Sequence, residues 1–128
     1  MADELYEKGM KIRREVLGDA HVDRSLAGVD EFASDIQDYV TRIGWGEVWA
    51  RPGLDRRSRS ILNLGMISAL NRPHELKVHI RGALNNGISR DEIKEVFIQV
   101  ALYCGAPAGL ECVRLAREVF ADIDAEAG

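Results

Sequence analysis

The chain has 128 residues, 46% of them hydrophobic and 30% charged, and a formal net charge of −4. That is the size and balance of one globular domain with a real core, so residues 1–128 are read as a single domain. The net negative charge disfavours a nucleic-acid partner, no apolar run approaches the ~20 residues that span a bilayer, and the opening MADELYEKGMKIRRE interleaves charges where a secretory leader is apolar; a cytoplasmic protein is expected.

Apolar residues recur at helical spacing along most of the chain, and alternating β-branched runs are absent, which predicts an all-α fold. A first helix runs from about Glu4 to Val16 and stops at Gly18. The following GDAHVDRSL, with His21 and Arg24, carries no regular period and reads as an ordered loop. A second helix begins near Asp30 with Phe32, Ile36, Tyr39 and Val40 on its inner side. Next comes GWGEVWARPGLDRRSRS, Gly44 to Ser60, which holds both tryptophans and four arginines. Pro52-Gly53 breaks the backbone there, and Asp55 caps a third, central helix through Ile61, Leu62, Leu64, Gly65, Ile67 and Leu70. Pro73 suits the first position of a fourth helix that Gly87 stops in a left-handed conformation. Ser89 and Glu92 form a capping box for a fifth helix through Ile93, Val96, Phe97, Val100 and Tyr103. Gly105 ends it, and a sixth runs from about Ala108 to Ile123 with Leu110, Val113, Leu115, Ala116, Val119 and Phe120 available for burial.

Three places could carry chemistry. Aromatic walls beside arginines suit a small organic anion, although Trp45 and Trp49, four apart, also have the spacing of a helical core pair. Glu75 and His79 project from one side of a helix, where a carboxylate can set the tautomer of an imidazole and fit it for acid–base work; an exposed helical pair has the same spacing. The turn Tyr103 to Pro107 opens a helix N-terminus, which can hold an anion or simply join two helices. No third ligand stands at helical spacing from His79, so no metal is expected. Cys104 and Cys112 are too few and too close for a disulfide framework and read as buried thiols.

Together GDAHVDRSL, WGEVWARPGLDRRSRS and ELKVHIRGALNNGISRDEIKEVFIQVALYCGAPA resemble the carboxymuconolactone decarboxylase family over nearly the whole chain. The resemblance implies a six-helix subunit of the alkyl-hydroperoxidase D-like fold, assembled as a homo-oligomer, a ring-shaped hexamer. It implies decarboxylation of gamma-carboxymuconolactone, a small anionic lactone, in the protocatechuate branch of the β-ketoadipate pathway. Peroxidases of the wider superfamily place a CxxC pair before a histidine that matches His79. Arg72 and Glu75 stand at those positions here, which removes disulfide peroxidase chemistry.

In the family reaction the departing carboxylate is conjugated with the lactone carbonyl, so the substrate is its own electron sink and no cofactor is expected. The protein must hold the spectator carboxylate, stabilise the dienolate and deliver a proton. On this reading Arg51 or Arg59 grips the spectator carboxylate, His79 donates the proton, Glu75 orients and charges it, and Trp45 and Trp49 wall the pocket. Arg56, Tyr103, Cys104 and His21 stand in the second rank. Two rivals remain: a related lactone decarboxylase or isomerase, and a non-catalytic helical module whose tryptophan segment is an oligomer contact.

Overall fold

The computed structural model describes residues 3–128, and among these there are helices and connecting turns but no strand. The all-α expectation holds. The described chain divides into two compact units, the first ending at Arg56 and the second spanning Arg57–Gly128.

In the first unit, α1 (Glu4–Leu17) starts where the Asp3 carboxylate accepts the Tyr6 N–H at 3.1 Å, and it ends at Gly18, φ +90°. GDAHVDRSL is not a loop: α2 spans Asp19–Ala27. Val22 is the one residue of α2 that is buried, so this helix has no apolar period to read. Arg14 reaches forward to Asp19 at 3.1 Å and Asp23 at 2.9 Å, tying it to α1. In α3 (Glu31–Tyr39) the Ala33 N–H donates to Asp30 Oδ1 at 3.0 Å. A nine-residue π-helix, Val40–Val48, follows directly. It packs on α1 backbone to backbone: a Cβ on Gly9 would stand 2.0 Å from the Thr41 carbonyl oxygen, and one on Gly46 2.6 Å from that of Leu5. Beside this contact the buried Arg13 donates to Gln37 Oε1 at 3.0 Å and Thr41 Oγ1 at 3.2 Å.

Phe32, Ile36, Tyr39 and Val40 do not face inward as expected. Phe32 is 96% exposed, and the other three are exposed with it. Their spacing marks an amphipathic face correctly, but among the described residues that face stays exposed.

In the second unit, α4 (Arg56–Leu70) ends at Asn71, φ 56°, a left-handed position that asparagine tolerates. Pro73 opens α5 (Pro73–Asn85) and Gly87, φ +89°, turns the chain back, as expected. Ser89 and Glu92 form the capping box of α6 (Arg90–Cys104). After Gly105, φ +102°, the last helix α7 runs Ala106–Ala127, two residues earlier and four later than its pattern predicts, because Pro107 sits inside its first turn. The core gathers Leu64, Leu76, Ile80, Phe97, Leu115 and Val119 from all four helices. Gly109 lets α6 and α7 close, since a Cβ there would lie 2.7 Å from that of Ala101. Leu62, Leu70 and Leu110, expected in the interior, are exposed. The described residues thus hold seven α-helices and a π-helix where six helices were read, and no described helix is long and apolar enough to cross a membrane.

Three surface carboxyls are held below their ordinary range by arginine partners: Glu15 by Arg56, Glu111 by Arg114 and Asp124 by Arg90. A lowered folded-state pKa contributes stability that is present above the unfolded value and lost as pH falls through the folded one. The melting temperature is therefore expected to hold between neutrality and roughly pH 5.5 and to fall below about pH 4.5, near the ordinary carboxyl range. Scanning calorimetry across that range tests it, with Glu15→Gln and Asp124→Asn flattening the acid fall. An acid limb unchanged in both variants would assign the fall to other groups.

Candidate active site

In the first unit the π-helix positions the aromatic pair. The Trp49 N–H donates to the Gly44 carbonyl at 2.9 Å, an i→i+5 bond that widens the turn. The rings of Trp45 and Trp49 stack, centroids 4.8 Å apart and planes 24° from parallel. Trp45 is 5% exposed and belongs to the interior, whereas Trp49 is half-buried and keeps surface to offer. Arg51 follows on the surface, its N–H donating to Val48 O at 3.1 Å ahead of the Pro52-Gly53 turn. Arg56 donates to Glu15 Oε1 at 2.9 Å, so its charge already has a carboxylate answering it. On α2, His21 Nε2 lies 3.3 Å from Ser25 Oγ.

In the second unit a polar seam joins α4 to α5. Ser60 Oγ, buried, accepts from Asn86 Nδ2 at 2.8 Å, and one turn on Asn63 Nδ2 stands 3.5 Å from His79 Nδ1. Arg59 precedes Asn63 by four residues and so shares its helix face; it is half-buried, with Nε enclosed. Glu75, exposed in the first turn of α5, shares a face with His79 in the same way. The second unit thus supplies a cation and an imidazole along one seam. Arg57 is paired with Glu92.

Tyr103 is 78% exposed and borders an apolar groove of about 610 Å³ with Leu62, Met66 and Val96. Cys104 borders that groove and also a cavity of about 300 Å³ lined by Ser68, Arg72, Leu76 and Glu111. Neither is lined by His79, Glu75 or Arg59. The reading of two buried thiols holds for one: Cys104 is exposed, while Cys112 is buried with its S–H directed to Ser68 Oγ at 3.2 Å. Burial pushes the Cys112 thiol up from its ordinary value, although the Ser68 hydrogen bond opposes this.

Asn63 is the residue that sequence reasoning missed. Its signal was present: RRSRSILN places Arg59, Ser60 and Asn63 at three- and four-residue spacings in a helix otherwise read for its apolar stripe.

The Carboxymuconolactone decarboxylase family matches residues 34–118, and the chain belongs to that family. It is 43% identical over 121 residues to 4-carboxymuconolactone decarboxylase of Acinetobacter baylyi, covering 94% of this chain and 90% of that protein. It is 40% identical over 119 residues to nitrosuccinic acid decarboxylase of Metarhizium robertsii, covering 93% and 83% respectively. A stretch of 42 residues, 33% of this chain, is 48% identical to 4-carboxymuconolactone decarboxylase of Pseudomonas putida and covers 88% of that sequence.

Proposed function

We propose that this chain removes CO₂ from gamma-carboxymuconolactone and yields the 3-oxoadipate enol-lactone, the step that feeds protocatechuate carbon into the β-ketoadipate pathway. The observation that carries the reading is the 43% identity, sustained over 94% of the chain, to a 4-carboxymuconolactone decarboxylase. The seam of Arg59, Asn63 and His79 supports it with the chemistry the reaction needs.

As CO₂ leaves, its bonding electrons pass through the ring double bond to the lactone carbonyl oxygen, and a proton is then added at the carbon beside that carbonyl. The substrate is its own electron sink, so no cofactor takes part. His79 supplies the proton and regains one from water; Glu75, on the same helix face, orients it. Arg59 takes the spectator carboxylate through its guanidinium fork, with Arg51 the alternative. Arg56 and Tyr103 lie outside the reacting set.

Incubating the purified protein with the lactone is expected to give CO₂ and a loss of ultraviolet absorbance; a flat trace sinks the reading. Nitrosuccinate belongs in the same assay because of the 40% identity to a nitrosuccinic acid decarboxylase. It too is a dicarboxylate with an electron sink beside the departing group. Faster turnover of nitrosuccinate would transfer the assignment to that substrate. A non-catalytic module would turn over neither compound and would gain no thermal stability from a lactone analogue.

Arg59→Ala is expected to raise KM about 10- to 100-fold with kcat changed far less, the range for a charge-assisted hydrogen bond to a carboxylate. If Arg51→Ala raised KM and Arg59→Ala did not, the grip would pass to Arg51.

The working form is a cytoplasmic homo-oligomer, a hexamer. The uncovered face of Phe32, Ile36 and Tyr39, with Phe32 96% exposed, supports burial between copies. Sedimentation as a single chain would refute this.

A further inference from the structure

We infer that the cavity of about 300 Å³ among α4, α5 and α7 is a binding site for a small organic carboxylate, with the guanidinium of Arg72 as its anchor. The inference stands apart from the lactone reading, since Arg59, Asn63 and His79 do not line this cavity. Its floor is Leu76, Leu115, Cys112 and Ser68, all buried. The two polar groups of the floor satisfy each other and the helix behind them: the Cys112 thiol points to Ser68 Oγ at 3.2 Å, and that hydroxyl donates to Leu64 O at 2.6 Å. Charge stands only at the rim, on Arg72 and Glu111. An apolar interior with a few convergent polar groups is the usual make-up of a small-molecule site, and the volume lies at the lower end of the roughly 300–1,000 Å³ such sites span. The occupant is therefore about the size of one ring.

The sign of the ligand follows from which rim charge is already answered. Both oxygens of Glu111 are engaged by Arg114, Oε2 by Nε at 3.1 Å and Oε1 by Nη2. Arg72 meets no carboxylate among the described residues. Its Nη1 donates to Leu70 O at 3.0 Å, and Nε and Nη2 keep their N–H groups for a ligand, in the fork that matches the two oxygens of a carboxylate. The helices add to this: α5 and α7 both begin at the rim, where Pro73 and Pro107 line the cavity, and neither has a side-chain cap to answer the positive end of its dipole. The arm is also placed in advance. Asn71, φ 56°, and the bond from the Arg72 N–H to Ile67 O at 3.3 Å close α4 in the Schellman manner, while Pro73 restricts the residue before it. Arg72 is thus fixed between a helix stop and a helix start, and its backbone has little freedom to lose on binding.

Calorimetric titration tests it, with benzoate as the probe and benzamide as its uncharged counterpart. Wild type is expected to bind benzoate saturably, one per chain, and benzamide at least about 10-fold more weakly. Arg72→Gln, a change at an exposed residue outside the core, weakens benzoate about 10- to 100-fold and removes its advantage over benzamide, the range for a hydrogen bond to a charged group. Arg59→Ala leaves the benzoate affinity within about 2-fold, because that arginine lines a different surface. Alkylation by iodoacetamide locates the ligand: Cys104 is exposed at the rim and Cys112 is buried, so saturating benzoate slows the reaction of Cys104. Absence of saturable binding, equal affinity for benzoate and benzamide, or an affinity indifferent to Arg72→Gln overturns the inference. So does benzoate that binds while Cys104 reacts at its free rate. Loss of binding in Arg59→Ala with Arg72→Gln unaffected would place the carboxylate on the seam of α4 and α5 and overturn it as well.

Discussion

Replacing His79 with alanine is expected to lower kcat for the lactone by about 10²- to 10⁴-fold, the contribution of one positioned general acid. KM should stay near its wild-type value, because on this mechanism the guanidinium of Arg59, not the imidazole, holds the substrate's remaining carboxylate. The separation of the two effects carries the argument: a group that acts only as charge develops on the dienolate lowers kcat and kcat/KM together, whereas a group that grips ground state and transition state alike changes KM. His79 is half-buried on the α4-facing side of α5 and outside the apolar core of Leu76, Ile80 and Ala83, so the fold should survive its loss. Evolved CO₂, ultraviolet absorbance and the far-ultraviolet circular dichroism spectrum measure all three quantities. Normal turnover in a folded His79→Ala protein would remove the histidine from the mechanism. Glu75→Gln is the companion variant. Glu75 is exposed, where one interaction with an imidazole is worth little, so a loss of less than about 10-fold is expected.

What could be read from the sequence follows from how far each signal reaches along the chain. The capping box of Ser89 and Glu92, Pro73 at a helix start, and the stops at Gly18, Gly87 and Gly105 depend on chemistry within four residues, and each stands where its pattern placed it. The helix over GDAHVDRSL was illegible because α2 buries Val22 alone and is tied down by Arg14 from outside itself. The π-helix was illegible for a stronger reason. No period of apolar residues encodes an i→i+5 ladder; this one sits where Gly9 and Gly46 let α1 approach the backbone. For Phe32, Ile36 and Tyr39 the pattern told truly that an apolar face exists and misled about what covers it, since amphipathicity does not distinguish a core from an interface between copies. At the candidate site, the Glu75 and His79 spacing drew attention along α5, while the partner that the structure gives His79 lies across on α4. A contact between residues sixteen apart, on two helices, is displayed by neither helix alone.

Gly9→Ala is expected to destabilise the protein by about 2 kcal/mol or more, although alanine is the better helix former. Two effects compete. In the interior of α1 the exchange gains up to about 1 kcal/mol of helix propensity. Against that, the new methyl would meet Thr41 O at 2.0 Å, Gly46 N at 2.9 Å and the Thr41 carbonyl carbon at 3.0 Å. All three are backbone atoms, so no side chain can rotate away, and α1 and the π-helix must separate. Overpacking costs about 1–3 kcal/mol where side chains adjust, and a rigid backbone contact belongs at the upper end or beyond. The clash wins. Its consequences travel along the π-helix: Thr41 Oγ1 accepts from the buried Arg13 at 3.2 Å and donates to Gln37 O at 2.8 Å, and the Trp45–Trp49 stack begins four residues later. Displacing Thr41 therefore loosens an arginine that cannot be left unsatisfied in the interior and alters the ring pair together with it. Denaturant unfolding measures the first effect, and near-ultraviolet circular dichroism of the tryptophans the second. A Gly9→Ala protein of unchanged or higher stability with an unaltered tryptophan spectrum would mean that the π-helix holds its shape without the close approach of α1.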